Sequence, residues 1–379
     1  MDFLLSPEHM MYQKLFREFA EKEVKPYAVV TDETEEFPRR NVDLMKQYGF
    51  MGIPVERELG GQGCDTLAYV LCVEELSKVC ATTGVILSAH TSLCCDPIRK
   101  FGSSEQKEKY LKPLAKGEKL GAFALTEPSA GTDASSVQTR AVPDGDSFIL
   151  NGTKIFITNG KEADIYVIFA MTDKSAGARG ISAFIVKKGT PGFTFGTKEQ
   201  KMGIRGSSTY ELIFRDCRIP KENMLGQVGR GFNIAMSTLD GGRIGIAAQA
   251  LGIAEGALAS TVKYVKERKQ FGRTLAKFQN TQFVLADLAT RVEAAKLLVY
   301  KAAIAKDTQK TFSTEAAMAK LYASETAMEV TTKCVQLHGG YGYTREYEVE
   351  RMMRDAKITE IYEGTSEVQR MVISGSLLK

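Results

Sequence analysis

Ser147-Phe148-Ile149-Leu150-Asn151-Gly152-Thr153-Lys154-Ile155-Phe156-Ile157-Thr158 interrupts a chain whose flanks read as helix. Its β-branched and aromatic residues favour extended backbone. Residues 147–150 and 154–158 flank Asn151-Gly152, the pair that best serves a two-residue hairpin turn, so the stretch predicts two antiparallel strands. Further β-rich runs at 165–171, 181–186 and 210–214, punctuated by Gly and Pro, extend the prediction to an antiparallel β domain over 120–226.

On either side the period is helical. Upstream, Ser6-Pro7 starts a helix that Pro26 is expected to end, Gly49 closes a second, and Asp65 caps a third running to about Cys80. Ser103 with Gln106 forms a capping box before a helix that stops near Gly117. These make an N-terminal helical domain, 1–119. Downstream of Gly231, long segments at 243–269, 280–307 and 314–337 predict four long amphipathic helices packed as a bundle over 227–379. The fold class is α+β in three domains, as 379 residues exceed what one hydrophobic core usually serves.

Composition narrows the function. A net charge of +4, with Lys and Arg interspersed among Asp and Glu, gives no basic block for nucleic acid. Seven cysteines form no C-x-x-C pair, and an odd number makes a poor disulfide framework, so a reducing, cytoplasmic location is expected. Met1-Asp2-Phe3-Leu4-Leu5-Ser6-Pro7 lacks the regions of a signal peptide, and no apolar run approaches a membrane span, so membrane insertion is not expected. There is no G-x-G-x-x-G after a strand and no Walker sequence; Gly226, Gly229 and Gly231 read as a joint. His9, His90 and His338 lie far apart, and no metal site is expected.

Ile361-Tyr362-Glu363-Gly364-Thr365-Ser366-Glu367 carries the chemistry. A carboxylate between apolar residues and a glycine is placed like a base: burial raises its pKa and lets it accept a proton from a weak carbon acid. The alternative is a glutamate capping a helix N-terminus. Three stretches weigh against that alternative. Leu125-Thr126-Glu127-Pro128-Ser129-Ala130-Gly131-Thr132-Asp133 is a hydroxyl-rich loop suited to a flat polar ring or a phosphate. Glu267-Arg268-Lys269-Gln270-Phe271-Gly272 ends a helix with a guanidinium suited to pyrophosphate, and Gln336-Leu337-His338-Gly339-Gly340-Tyr341-Gly342 leaves backbone open beside a glutamine.

In the order and identity of these motifs the whole chain resembles the acyl-CoA dehydrogenase family, and within it the short-chain, butyryl-CoA branch of anaerobic bacteria. The resemblance implies FAD between the β domain and a C-terminal four-helix bundle, and reversible oxidation of butyryl-CoA to crotonyl-CoA by α-proton abstraction with β-hydride transfer to flavin N5. Glu363 matches the base. Phe123, Leu125 and Thr126 match the loop under the flavin pyrimidine, and Phe156 and Thr158 match the segment at N5, with Phe156 where many relatives have tryptophan. Arg268, Phe271, Gln279, Gln336, Gly339 and Gly340 match positions reaching the FAD of a neighbouring subunit, and Thr365 and Glu367 match contacts on the subunit's own FAD. Thr132, Asp240, Arg243 and Gly364 match acyl-CoA contacts. Gly242 stands where isovaleryl- and long-chain relatives place their base, and residues 81–93 lack the arginine of glutaryl-type relatives; both disfavour those branches. The resemblance also implies a homotetramer, a dimer of dimers, and an electron-transferring flavoprotein as redox partner, since no haem, cluster or nicotinamide motif is present to take electrons onward. A non-catalytic flavoprotein that binds nucleic acid or acts as a scaffold is the alternative function; it would need a basic extension or loss of the base.

Overall fold

The computed structural model describes residues 5–378, so the reading of Met1 to Leu4 lies outside them. Helix α1 (Pro7–Phe19) starts as expected, with Ser6 Oγ accepting from His9 N at 3.2 Å. Pro26 does not end the helical path. A π turn (Ala20–Val24) and a 3-10 turn (Lys25–Tyr27) carry it into the Ala28–Thr34 helix, so the missing proline N–H falls where the regular ladder is already broken. Asp65 caps α2 (Thr66–Val79), accepting from Ala68 N at 2.8 Å, and α3 (Ala81–Ser88) runs on into a π-helical segment, Ala89–Cys95. The Ser103/Gln106 capping box is present.

The middle part is an eight-stranded sheet: β1 (Gly121–Ala124), β2 (Arg140–Asp144), β3 (Ser147–Ile157), β4 (Ile165–Met171), β5 (Ile181–Lys187), β6 (Phe193–Lys198), β7 (Tyr210–Pro220) and β8 (Met224–Leu225). Strand order is β6-β7-β3-β2-β4-β5-β8, with β1 also on β4. The sheet is mixed rather than antiparallel, because β1 and β2 both pair with β4 in parallel.

The Asn151-Gly152 hairpin is not formed. Strand β3 runs straight through it, and the turn lies between Asp144 and Ser147, where Gly145 (φ 57°) meets the type II′ demand for glycine at the first central position. Gly152 (φ 151°) instead sits at a register shift between β3 and β7. A Cβ there would come within 2.5 Å of Thr139 Oγ1 and 2.6 Å of Thr139 Cα. Asn151 stitches the bulge: its side chain donates to Asp216 Oδ1 at 3.1 Å and accepts from Asp216 N at 2.8 Å. Glycine and asparagine serve a bulge as well as a turn, and the sequence alone does not separate the two.

The C-terminal part holds three long helices, α4 (Gly231–Glu267), α5 (Gln279–Thr308) and α6 (Ser313–His338), a single helical turn (Gly340–Tyr343), and two shorter helices, α7 (Val349–Lys357) and α8 (Ser366–Leu377). A fourth long helix is absent among the described residues. Helix α4 begins twelve positions before the predicted 243, and its middle, residues 241–254, is buried on all sides rather than amphipathic, the helix packing against α2, α5, α6 and β5. It is long and apolar enough to cross a membrane, yet 72% of its most apolar window is buried in the molecule, as befits a core helix.

Candidate active site

Glu363 lies in the turn before α8, in the left-handed region (φ 53°), followed by Gly364 (φ 96°). Thr365, not Glu363, is the helix cap, its Oγ1 accepting from Val368 N at 3.4 Å. The residue is half-buried, but its carboxylate Oε2 is enclosed with no hydrogen-bond partner. Burial pushes this carboxyl up to about 8, while Arg243 and Lys320 pull the other way. A Cβ on Gly242 would lie 2.0 Å from Glu363 Oε2 and 2.7 Å from Leu93 Cδ2, so the glycine of α4 leaves the space the carboxylate fills.

Glu363 is held from several sides. Arg243 Nε points at Glu363 O at 3.5 Å while its Nη1 donates to Asp240 Oδ1 at 2.7 Å; Ser313 donates to the same aspartate's other oxygen. Tyr362 OH donates to Gln249, whose amide donates to Ala81 O at 3.1 Å. Asp240, Arg243, Glu363 and Gly364 are therefore one cluster.

A second cluster forms at the ends of β1 and β3. Phe123 packs on Phe169, with ring centroids 4.9 Å apart. Buried Lys154 of β3 donates to Leu125 O (3.0 Å) and Glu127 Oε1 (2.7 Å), and Ile155 N donates to Thr126 O (2.9 Å), which fixes the loop carrying Leu125 and Thr126. Phe156 adopts φ 58° and is 59% exposed, an apolar ring turned out of a strand at a strained position. Thr158 is half-buried beside Asn159 (φ 61°), whose buried amide donates to Ile86 O and Gly121 O, each at 3.2 Å. Thr132 is exposed further along the loop. The 89–95 segment packs on both β1 and α4: His90 Nδ1 accepts from Gly121 N at 3.0 Å, and Leu93 faces the Gly242 position, so it joins the two clusters.

A third group stands apart. Arg268 caps the far end of α4, 25 residues and so roughly 38 Å along the helix from Arg243. Its guanidinium lies 5.3 Å from the Tyr341 ring centroid, beside Gly339 and Gly340, which follow α6; Gln336 is exposed on the last turn of α6. Gln279 opens α5, and Phe271 is 93% exposed. Glu367, by contrast, lies beside the first cluster, exposed in the first turn of α8.

The clusters fit FAD. An outward-facing Phe156, the half-buried hydroxyl residues Thr126 and Thr158, and the buried, unpartnered Ser366 Oγ and Gln369 Oε1 leave apolar surface and polar atoms for a flat ring with polar edges. Sequence reading missed Lys154, Asn159, Gln249, Lys320 and Gln369. The available signal was a lysine inside an apolar strand, 154–157, and another inside an alanine-rich helix face, 316–327.

Comparison with known proteins agrees in every part of the chain. Three family models match: acyl-CoA dehydrogenase N-terminal domain over residues 6–118, middle domain over 122–217 and C-terminal domain over 229–378. The chain is 62% identical over 379 residues to the short-chain-specific acyl-CoA dehydrogenase of Clostridium acetobutylicum, with both chains covered in full. Butyryl-CoA dehydrogenase from Megasphaera elsdenii superimposes with a TM-score of 0.99 at 55% identity, again over all of both chains. A chain solved in work on the electron-transferring flavoprotein of Acidaminococcus fermentans and flavin-based electron bifurcation gives 0.99 at 60% identity with full coverage of both.

Proposed function

The chain belongs to the acyl-CoA dehydrogenase family of FAD-dependent enzymes, and on that premise we propose that it oxidises short-chain acyl-CoA, butyryl-CoA foremost, reversibly, with Glu363 as the base. The observation that carries the reading is the enclosed, unpartnered Glu363 carboxylate facing the glycine gap of α4. A carboxylate so placed takes the α-proton of a thioester. The peptide N–H of Glu363 is the donor for the thioester carbonyl as negative charge develops there. Bound FAD supplies the acceptor for the β-hydride. A positioned base contributes about 10² to 10⁴ in rate, and closure against water strengthens its electrostatics.

A four- to six-carbon acyl chain is the expected substrate, supported by the 62% identity to a short-chain-specific acyl-CoA dehydrogenase. Thr132 and Arg243 serve the acyl-CoA, and an electron-transferring flavoprotein takes or delivers the electrons; the similarity to a chain solved in work on such a flavoprotein supports that partner. The test is anaerobic addition of butyryl-CoA to the yellow protein, expected to bleach the flavin, followed by kcat/KM across chain lengths. A series peaking at eight carbons or beyond refutes the short-chain reading, and absence of bleaching refutes the dehydrogenase.

A further inference from the structure

Helix α6 presents alanines to the core at 316, 317, 319, 323 and 327, and among them stands Lys320, fully buried. An ammonium taken from water into such a face carries a large desolvation cost unless it is well partnered. Its one hydrogen bond among the described residues goes to Gly364 O, at 2.7 Å. The same carbonyl accepts from Gln369 Nε2 at 2.8 Å, and the preceding one, Glu363 O, faces Gln369 Nε2 at 3.4 Å and Arg243 Nε at 3.5 Å. Donors from α4, α6 and α8 thus converge on the two carbonyls of the base's own turn, where Glu363 and Gly364 both have positive φ. A non-glycine residue holds that conformation only when its surroundings over-determine it.

We propose that Lys320 is a positioning residue for the base: its ammonium clamps Gly364 O to hold the Glu363 turn in the left-handed conformation, and its charge favours the ionised form of the enclosed carboxylate, the form that accepts a proton. This rests on Glu363 being the base, as proposed above. The charged and titratable groups around the pair are Arg243 on α4, Tyr69 on α2, Tyr362 in the turn itself, and Glu360 and Glu367 on either side of it. Burial pushes Glu363 up and Lys320 down, each to about 8, and their mutual attraction opposes both shifts.

The test is Lys320→Met in the flavin-loaded protein, with Lys320→Arg to keep the charge. Two readouts are taken: kcat and KM for butyryl-CoA, and the carboxyl titration of Glu363 in substrate-free protein by carbon-13 NMR, assigned with Glu363→Gln. Lys320→Met is expected to keep KM within about threefold and lower kcat about 10- to 100-fold, as a small misplacement of a reacting group does. It is also expected to raise the Glu363 midpoint by about half a unit or more; Lys320→Arg should keep the midpoint near wild type. An active wild type whose Glu363 midpoint and kcat are unmoved in Lys320→Met overturns the clamp, even if the melting temperature falls. Should Lys320→Met not fold, loss of kcat in Lys320→Arg with a raised midpoint overturns the charge argument. A midpoint that moves in a protein whose wild type oxidises no acyl-CoA overturns the dehydrogenase reading instead.

Discussion

A carboxylate kept without a hydrogen-bond partner costs stability, and Glu363 shows the sign of that cost. Its carboxyl is raised from 4.5 to about 8 in the folded protein, chiefly by burial. The folded state therefore holds the proton more tightly than the unfolded chain. Its contribution to stability is complete below about 4.5 and is lost as pH rises through about 8. Glu363→Gln, which is neutral at every pH, should melt a few degrees above wild type at pH 8 and close to it at pH 4.5, flavin content being matched. It should also lose nearly all turnover while still binding acyl-CoA. A melting difference equal at both pH values, or more than about a tenth of the wild-type rate, contradicts the assignment, since base catalysis contributes more than tenfold. Across the cleft, Gly242→Ala places a Cβ 2.0 Å from Glu363 Oε2. The carboxylate must then move, and kcat should fall about 100-fold, with flavin absorbance unchanged. A Gly242→Ala protein with wild-type kcat would show that the gap in α4 is not what places the base.

Elements carry these residues, and the sheet shows where sequence ceases to be decisive. If Gly152 serves a bulge against Thr139, alanine there meets atoms at 2.5 and 2.6 Å, whereas Gly145 in the true turn has nothing within 4 Å. Gly145→Ala should cost about 1 kcal/mol, the price of a left-handed residue. Gly152→Ala adds overpacking of about 1–3 kcal/mol. It should also loosen flavin, because Thr139 N donates to Glu127 at 3.0 Å and Glu127 anchors Lys154 beneath Leu125 and Thr126. Urea denaturation of the two variants decides; equal losses would contradict the bulge. The helical caps at Ser6, Asp65 and Ser103 were legible because capping is local chemistry within four residues. The mixed sheet was not, since parallel pairing of β1 with β4 joins Gly121 to Ile165 across 44 residues and leaves no mark on the alternation of either strand. Likewise the burial of the Glu363 carboxylate was legible from its apolar neighbours, while the contacts of Lys320 and Gln369 with Gly364 O arise only when α6 and α8 close on the turn.

At the scale of the whole molecule, one chain holds two sets of cofactor-type residues that it does not bring together. Phe123, Thr126, Phe156 and Thr158 lie with the sheet, next to the 89–95 segment that packs on α4 at Gly242; Arg268, Gln279, Gln336, Gly339 and Gly340 gather at the opposite end of α4. Around that end Phe271 is 93% exposed, and Phe283 on α5 is 61% exposed, an apolar surface beside a guanidinium with no carboxylate partner among the described residues. Both features are accounted for if a second copy covers the surface and presents its own FAD to Arg268. A closed assembly with isologous contacts, the dimer of dimers implied by family resemblance, does this twice over. Cofactor retention and assembly should then be coupled. Arg268→Ala removes a charged partner of the pyrophosphate, worth about 1.5–3 kcal/mol, so flavin binding should weaken by about tenfold or more. Phe271→Asp, which leaves every polar contact in place, should loosen flavin too, by opening the subunit contact. Light scattering with in-line flavin absorbance reads both quantities at once: smaller species should carry less flavin in each variant. A stable monomer with its full complement of FAD would mean that the far end of α4 serves something other than the cofactor of a neighbour.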